Sequence, residues 1–181
     1  MAATQKNKKL TQVFCLFLLN TLVSCTAHHD SSTNHKEDSY WYTSIDGHFS
    51  VETPASLEYR QDTLTVKKEN KSFTMDLGVH HGSMRPWFFE VLHTEKPAFW
   101  TSLSTDEKSW WLKTMVDNRY KPFTLNKETQ NALYGEQGGR ALEIRVATSK
   151  QRLYLLVAAV PPGALRMPEV QSFFDSFQIN D

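Results

Sequence analysis

The segment Arg152–Val160 constrains the fold more than any other part of the chain. As a strand it would carry Leu153, Leu155 and Val157 on one face and Tyr154, Leu156 and Val160 on the other. Side chains alternate across a strand, so one that is apolar on both sides needs cover on both sides. Arg152–Val160 is therefore expected at the centre of a sheet with layers above and below. Pro161-Pro162-Gly163 ends it.

The neighbouring segments are half-apolar. Phe49, Val51 and Thr53 alternate with Ser50 and Glu52, and Pro54 stops that run. Tyr40–Tyr42 precedes it across the turn Asp46-Gly47. Leu64 and Val66 mark another strand. Phe73, Met75, Leu77 and Val79 alternate with Thr74, Asp76 and Gly78, and this strand is expected to end at His80-His81. Phe88–Thr94 follows the Arg85-Pro86 break, Phe123–Leu133 has weak strand character, and Leu142, Ile144 and Val146 form a further alternating run. Tyr134-Gly135-Glu136-Gln137-Gly138-Gly139 reads as a turn, and Ser149-Lys150-Gln151 as a hairpin turn.

Two segments change period. Ser104-Thr105-Asp106-Glu107 is a capping box, in which a hydroxyl and a carboxylate three residues on satisfy free helix N–H groups. Trp111, Leu112, Met115 and Val116 follow at helical spacing, so a helix is expected over 105–120, closed by Pro122. Pro168 opens a short second helix with Val170, Phe173, Phe174 and Phe177 on one side. Strands, helix, strands, helix, without regular βαβ alternation, predict an α+β fold. The expected form is a mainly antiparallel sheet covered by helices on both faces, an α-β-α sandwich.

The 181 residues leave room for one such domain, placed at 39–181. The segment 1–24 reads differently. Met1–Lys9 is polar and basic, and Leu10–Val23 is an uncharged, mostly apolar run of about 14 residues. A membrane-spanning helix needs about 20, so the pattern is that of an exported leader. Its end, Leu22-Val23-Ser24-Cys25, resembles the bacterial lipobox. That resemblance implies cleavage before Cys25, diacylglycerol on the Cys25 sulfur and, as a rule, a third acyl chain such as palmitate on the new amino group. One acyl chain holds only marginally, whereas two or three hold stably. Other readings of the leader are a signal peptide cut nearby with Cys25 incidental, and an uncleaved anchor helix. If the envelope is Gram-negative, Thr26 rather than Asp after the cysteine implies the outer membrane, facing the periplasm.

Residues 25–38 complete the anchor. Thr26–Asp38 has no large apolar residue and is expected to be a flexible tether. His28, His29 and His35 lie in it beside Asp30, but nothing rigid there fixes metal geometry. No cysteine follows Cys25, so the domain cannot form an internal disulfide. Without Lys6, Lys8 and Lys9, 17 basic residues face 20 acidic ones, a net of about −3. A mildly acidic body argues against nucleic acid as a partner, since phosphate binding needs a concentrated basic surface.

Several pieces together resemble the PsbP-like and Mog1-like domains. They are Phe49-Ser50-Val51-Glu52-Thr53-Pro54, Gly139-Arg140-Ala141-Leu142-Glu143-Ile144-Arg145, Arg152-Leu153-Tyr154-Leu155-Leu156-Val157, and Phe173-Phe174-Asp175-Ser176-Phe177. The resemblance frames most of Phe49–Ile179 and implies an α-β-α sandwich around an antiparallel sheet. The fold hosts unrelated roles, so the resemblance assigns no site residue.

The residues themselves offer no assembled chemistry. His80 and His81 should point to opposite faces. His93 would share the face of Phe89 and Val91, and reads as a satisfied, half-buried histidine. Ser83 lacks the second glycine of a nucleophile elbow. Gly135, Gly138 and Gly139 are not followed by Lys-Ser/Thr, and read as a turn rather than a phosphate cradle. Asn70-Lys71-Ser72 fits a glycosylation sequon that a bacterial lipoprotein gives no reason to use. Trp87-Phe88-Phe89, Phe99-Trp100 and Trp110-Trp111 are either core or a contact surface. No catalytic residue, metal ligand or cofactor is expected. The reading is a membrane-anchored, non-enzymatic binding or assembly module of the cell envelope with a protein partner there. The rivals are an envelope hydrolase assembled from scattered residues, which would show a deep pocket with His80, His81 or His93 beside an acid, and an apolar-ligand carrier with a cavity lined by Trp and Phe.

Overall fold

A computed structural model describes residues 39–68, 71–129 and 131–180. The leader 1–24, Cys25, the tether to residue 38 and Asn70 of the sequon lie outside them. The described residues belong to the unit Lys36–Asp181.

Seven strands form the main antiparallel sheet: β3 (Glu58–Lys68), β4 (Lys71–Met84), β5 (Trp87–Glu95), β6 (Thr124–Glu128), β7 (Ala132–Gln137), β8 (Arg140–Thr148) and β9 (Arg152–Val160). Their order is β3-β4-β5-β9-β8-β7-β6. The two-faced strand β9 is thus fourth of seven, between β5 and β8. A separate small sheet consists of β1 (Tyr40–Ser44), β2 (Phe49–Thr53) and β10 (Gln178–Ile179), with β2 in the middle.

Each face of β9 has its own core. Leu153, Leu155, Val157 and Ala159 join Leu64, Val66, Leu77, Val79, Leu142 and Ile144 under helix α1 (Thr105–Arg119), which buries Trp111, Met115 and Val116 there. Each such side chain contributes about 1.5–3 kcal/mol on burial. The capping box forms as read: Ser104 Oγ accepts from the Glu107 N–H, and Glu107 Oε2 accepts from the Ser104 N–H at 2.9 Å. On the opposite face, Tyr154, Leu156, Ala158 and Val160 meet Phe49 and Val51 of β2, and Val170, Phe173 and Phe174 of the eight-residue helix α2 (Pro168–Asp175).

The expected sandwich therefore needs correction. The fold is α+β with a helical layer on one face only; the small sheet and a two-turn helix share the other. Two turns bury three apolar side chains, too few to cover that face, and Phe49 and Val51 complete the cover. Arg145 fastens α2 to β8, donating to Asp175 and Gln171, each at 2.8 Å, and lying 4.3 Å from the Phe174 ring.

Two boundaries also differ. β4 does not stop at His80-His81 but runs to Met84, because both residues keep partners on β3 and β5. The turn read at Tyr134–Gly139 shrinks to Gly138-Gly139, both left-handed at φ 56° and 78°. Gly135 stays in β7, where the Phe123 ring lies 2.4 Å from the place a Cβ would take.

Candidate binding cleft

β4 is paired with β3 from Lys71 to His81. Its ladder with β5 covers only Gly78 to Met84. Before Gly78 the β3–β4 ribbon parts from β5, and the sheet forks. β5 continues along β9 to Glu95 and then turns away at Lys96-Pro97. There the Lys96 N–H donates to Gln151 O at 2.7 Å and its ammonium to Ser149 O.

The fork encloses an open cleft of about 910 Å³. Phe73, Met75, Asp76 and Leu77 line one wall, and His93, Glu95, Lys96 and Arg152 the other. Among the described residues, β4 from Ser72 to Leu77 has a ladder partner on its β3 side alone. Half of its backbone N–H and C=O groups therefore face away from β3, an edge of the kind that pairs with another strand.

Gly78 and His93 form the last rung at the apex of the fork. The imidazole lies flat over Gly78, where a Cβ would sit 2.0 Å from His93 Nε2. It stacks on His80 with centroids 5.3 Å apart and planes 27° apart. His80 is enclosed by Phe49 and Tyr59, its Nδ1 2.8 Å from the Tyr42 hydroxyl and its Nε2 3.3 Å from Ser44 Oγ. His93 Nδ1 lies 3.1 Å from Arg152 Nη1. A guanidinium only donates, so Nδ1 accepts and the neutral ring carries its proton on Nε2. That N–H is buried and, among the described residues, has no acceptor. The histidine read as satisfied is thus satisfied on one side only. Burial first, then His93 beside His80 and the Arg152 guanidinium beside His93, pushes both imidazoles down to about 4.

The Gly78 geometry gives a direct test. Gly78→Ala should lower stability by about 1–3 kcal/mol, the usual cost of overpacking a filled site, measured as the urea midpoint. His93→Ala should restore most of the loss in the double variant. An undiminished midpoint for Gly78→Ala would mean that the ring does not lie where described.

The other residues singled out in the sequence fall as follows. His81 points to the α1 face, stacked near Phe88, away from His80. Ser83 is exposed near the Met84 end of β4. Among the described residues, no three metal-ligating side chains cluster, and no helix is long and apolar enough to cross a membrane. The Trp and Phe clusters are mostly core: Phe89, Trp100 and Trp111 are buried, and Phe73, Phe99 and Trp111 pack edge to face or tilted. The void under α1, lined by leucines and Met115, is only about 10 Å³. The exposed aromatics are elsewhere, at Tyr40, Trp41 and Tyr59.

Sequence reasoning missed a buried polar cluster on the α1 face. Glu90 is 1% exposed. It accepts from Arg119 Nη2 at 2.8 Å and from the Tyr120 hydroxyl, while Arg119 Nη1 donates to Asp62 at 2.5 Å. The hydrogen bond from Arg119 holds the Asp62 carboxyl below its usual range. Burial, reinforced by Glu90, raises the Tyr120 phenol well above its ordinary value. A glutamate within Phe88–Thr94, at a position facing the helix, was the available signal.

In class the molecule is an α+β domain with a two-faced antiparallel sheet and a forked end. No family model matches the chain, and no curated protein matches it. It is similar to the solution structure of cyanobacterial PsbP (CyanoP) from Synechocystis sp. PCC 6803, with 14% identity over 87% of this chain and 98% of that one, at a TM-score of 0.47. A likeness at that level adds nothing to the architecture derived above.

Proposed function

We propose that the protein is a lipid-anchored, non-enzymatic binding module of the bacterial cell envelope, which takes an extended peptide segment of a partner protein into the fork. The observation that carries the binding role is the fork itself: a cleft with an unpaired strand edge along one wall. Strand addition uses such an edge, with backbone hydrogen bonds supplying affinity and alternate side chains supplying selectivity. The hydrolase reading is not favoured. The cleft is open rather than deep, and His93 faces Arg152 where a general base would need a carboxylate orienter. The carrier reading is not favoured by an interior void of about 10 Å³.

The anchor rests on Leu22-Val23-Ser24-Cys25. Cys25→Ser should abolish incorporation of labelled palmitate and move the protein from the membrane to the soluble fraction. A Cys25→Ser protein that still sediments with membranes after alkaline wash would overturn the anchor. For the cleft, photoreactive residues at the exposed positions Thr74 and Asp76 should crosslink to one partner in intact cells. The two crosslink sites should lie two residues apart along the partner, as strand register requires. Crosslinks scattered without register, or shared with a probe at Leu125 on β6, would reject strand addition.

A further inference from the structure

The two sheets have four outer strands, β3 and β6 of the main sheet and β1 and β10 of the small one. An outer strand offers unpaired backbone N–H and C=O groups, and proteins blunt such edges with charge, proline, bulges or shortness. Three of the four are blunted. β3 carries Glu58, Arg60, Asp62 and Lys67. β6 carries Lys127 and Glu128, and its register breaks between Leu125 and Lys127. β10 is two residues long. β1 has none of these devices. It reads Tyr40-Trp41-Tyr42-Thr43-Ser44, with no charge, proline or glycine, and it pairs with β2 in unbroken register. Among the described residues its other edge has no ladder partner.

The side chains along that edge are arranged to match a copy of themselves. Tyr42 points to the main sheet, its hydroxyl 2.8 Å from His80 Nδ1. Trp41 and Thr43 point the other way, and Ile45 follows at the start of the turn. Trp41 is 61% exposed and Ile45 86%, more than any other large apolar side chain among the described residues. They flank Thr43 at equal distances along the chain. Antiparallel pairing about a two-fold axis at Thr43 sets Trp41 opposite the copy's Ile45, and Ile45 opposite the copy's Trp41. Both pairs form at once, and both are of the aromatic and β-branched type that stabilises antiparallel ladders. Asp46, the next residue, falls opposite the copy's Tyr40 rather than another carboxylate. The small sheet then grows from three strands to six.

We propose that β1 is the docking edge for a second copy of this chain, which adds its own β1 antiparallel about Thr43. This surface is separate from the fork, where the unpaired edge belongs to β4. An unrelated partner would not require Trp41 and Ile45 to be placed symmetrically about Thr43; a second copy does. With a five-residue strand from each copy, the contact is smaller than the roughly 20–30 residues a side of a standard interface. Pairing is therefore concentration-dependent, and is best trapped in cells.

No cysteine follows Cys25, so an added one reports cleanly. In the full chain in intact cells, Thr43→Cys under a mild oxidant should give a covalent dimer of twice the chain mass, linked through position 43 of both copies. Ser83→Cys, also exposed, should give at least tenfold less. Trp41→Cys alone should crosslink poorly, because the two copies of position 41 lie about 13 Å apart along the ladder, beyond the roughly 7 Å between Cα atoms that a disulfide allows. Trp41→Cys chains coexpressed with Ile45→Cys chains should crosslink at least tenfold better. Adding Thr43→Lys to both chains, or Thr43→Glu to both, sets like charges opposite each other at the axis and should cut that crosslink about tenfold. Thr43→Lys in one and Thr43→Glu in the other should restore it. Thr43 is exposed, so these variants should leave the thermal midpoint unchanged, which separates lost pairing from lost folding. The proposal is overturned if Thr43→Cys links to a different protein or no better than Ser83→Cys, if Trp41→Cys crosslinks as well alone as in the mixture, or if opposite charges at position 43 fail to restore the crosslink.

Discussion

Acidification from pH 6.5 to 5 should remove roughly 2 kcal/mol of folding free energy for each of His80 and His93. Both imidazoles are pushed down to about 4 in the folded protein, from about 6.5 when exposed. The folded state thus binds their protons less readily than the unfolded chain does. Their contribution is complete above pH 6.5, declines as the pH falls, and is lost by the time the folded groups titrate near 4. Their surroundings explain the direction. Tyr42 and Ser44 of β1, Phe49 of β2 and Tyr59 of β3 enclose His80, and Arg152 of β9 faces His93. Asp46 acts the other way on both rings, and His48 lowers His93 further. The two rings stack, so protonating one makes protonating the other harder still.

The measurement is the urea midpoint between pH 5 and 7.5, a window in which ordinary carboxylates contribute little. His93→Gln should flatten the slope by about half. A midpoint that does not move across this window would show that the pair is not buried as a neutral stack. Since Tyr42 and Ser44 reach His80 from β1, the small sheet should be the first part to loosen, visible as early hydrogen exchange at Tyr42 and Thr43.

Removing the Glu90 carboxylate should be at least as damaging. Glu90→Ala would leave Arg119 nearly buried, its side chain 14% exposed, with only the partly exposed Asp62 to answer it. Breaking one partner of a buried ion pair costs about 3–5 kcal/mol, because the remaining charge is uncompensated. The Tyr120 hydroxyl loses its acceptor at the same time. Against a typical domain stability of about 5–15 kcal/mol, that loss should lower the urea midpoint by about a fifth or more. Glu90→Ala with Arg119→Met should recover much of it, since the stranded charge is gone. A single variant within about 0.5 kcal/mol of the wild type would mean that Glu90 is solvated in solution. The two effects report on opposite faces of the main sheet and should add in a combined variant.

What could be read without coordinates was whatever depends on local periodicity. Alternation on both faces placed Arg152–Val160 at the sheet centre, where β9 lies fourth of seven. The Ser104–Glu107 spacing announced the start of α1 to the residue, because a cap is a contact between neighbours in the chain. Errors arose where the outcome depended on distant partners. Tyr134–Gln137 looked like a turn because glycine weakens a strand locally, yet Phe123 packing on Gly135 holds it in β7. A full helical layer was expected on the second face, but chain order does not reveal that β2, more than a hundred residues before α2, returns to cover it.

The same division separates address from site. Leu22-Val23-Ser24-Cys25 is a contiguous motif, so the sequence by itself carries the reading of a lipid anchor, and the absence of later cysteines rules out a disulfide within the domain. The fork could not be read this way. It exists because β4 is longer than its ladder with β5, a mismatch between segments that each look ordinary. His80 and His93 lie thirteen residues apart and become neighbours only through the diagonal step between paired strands. Glu90, Arg119 and Asp62 meet across two strands and a helix. Local hydrogen bonding and periodicity write elements into the chain; long-range pairing, which no window of sequence contains, decides which side chains those elements bring together.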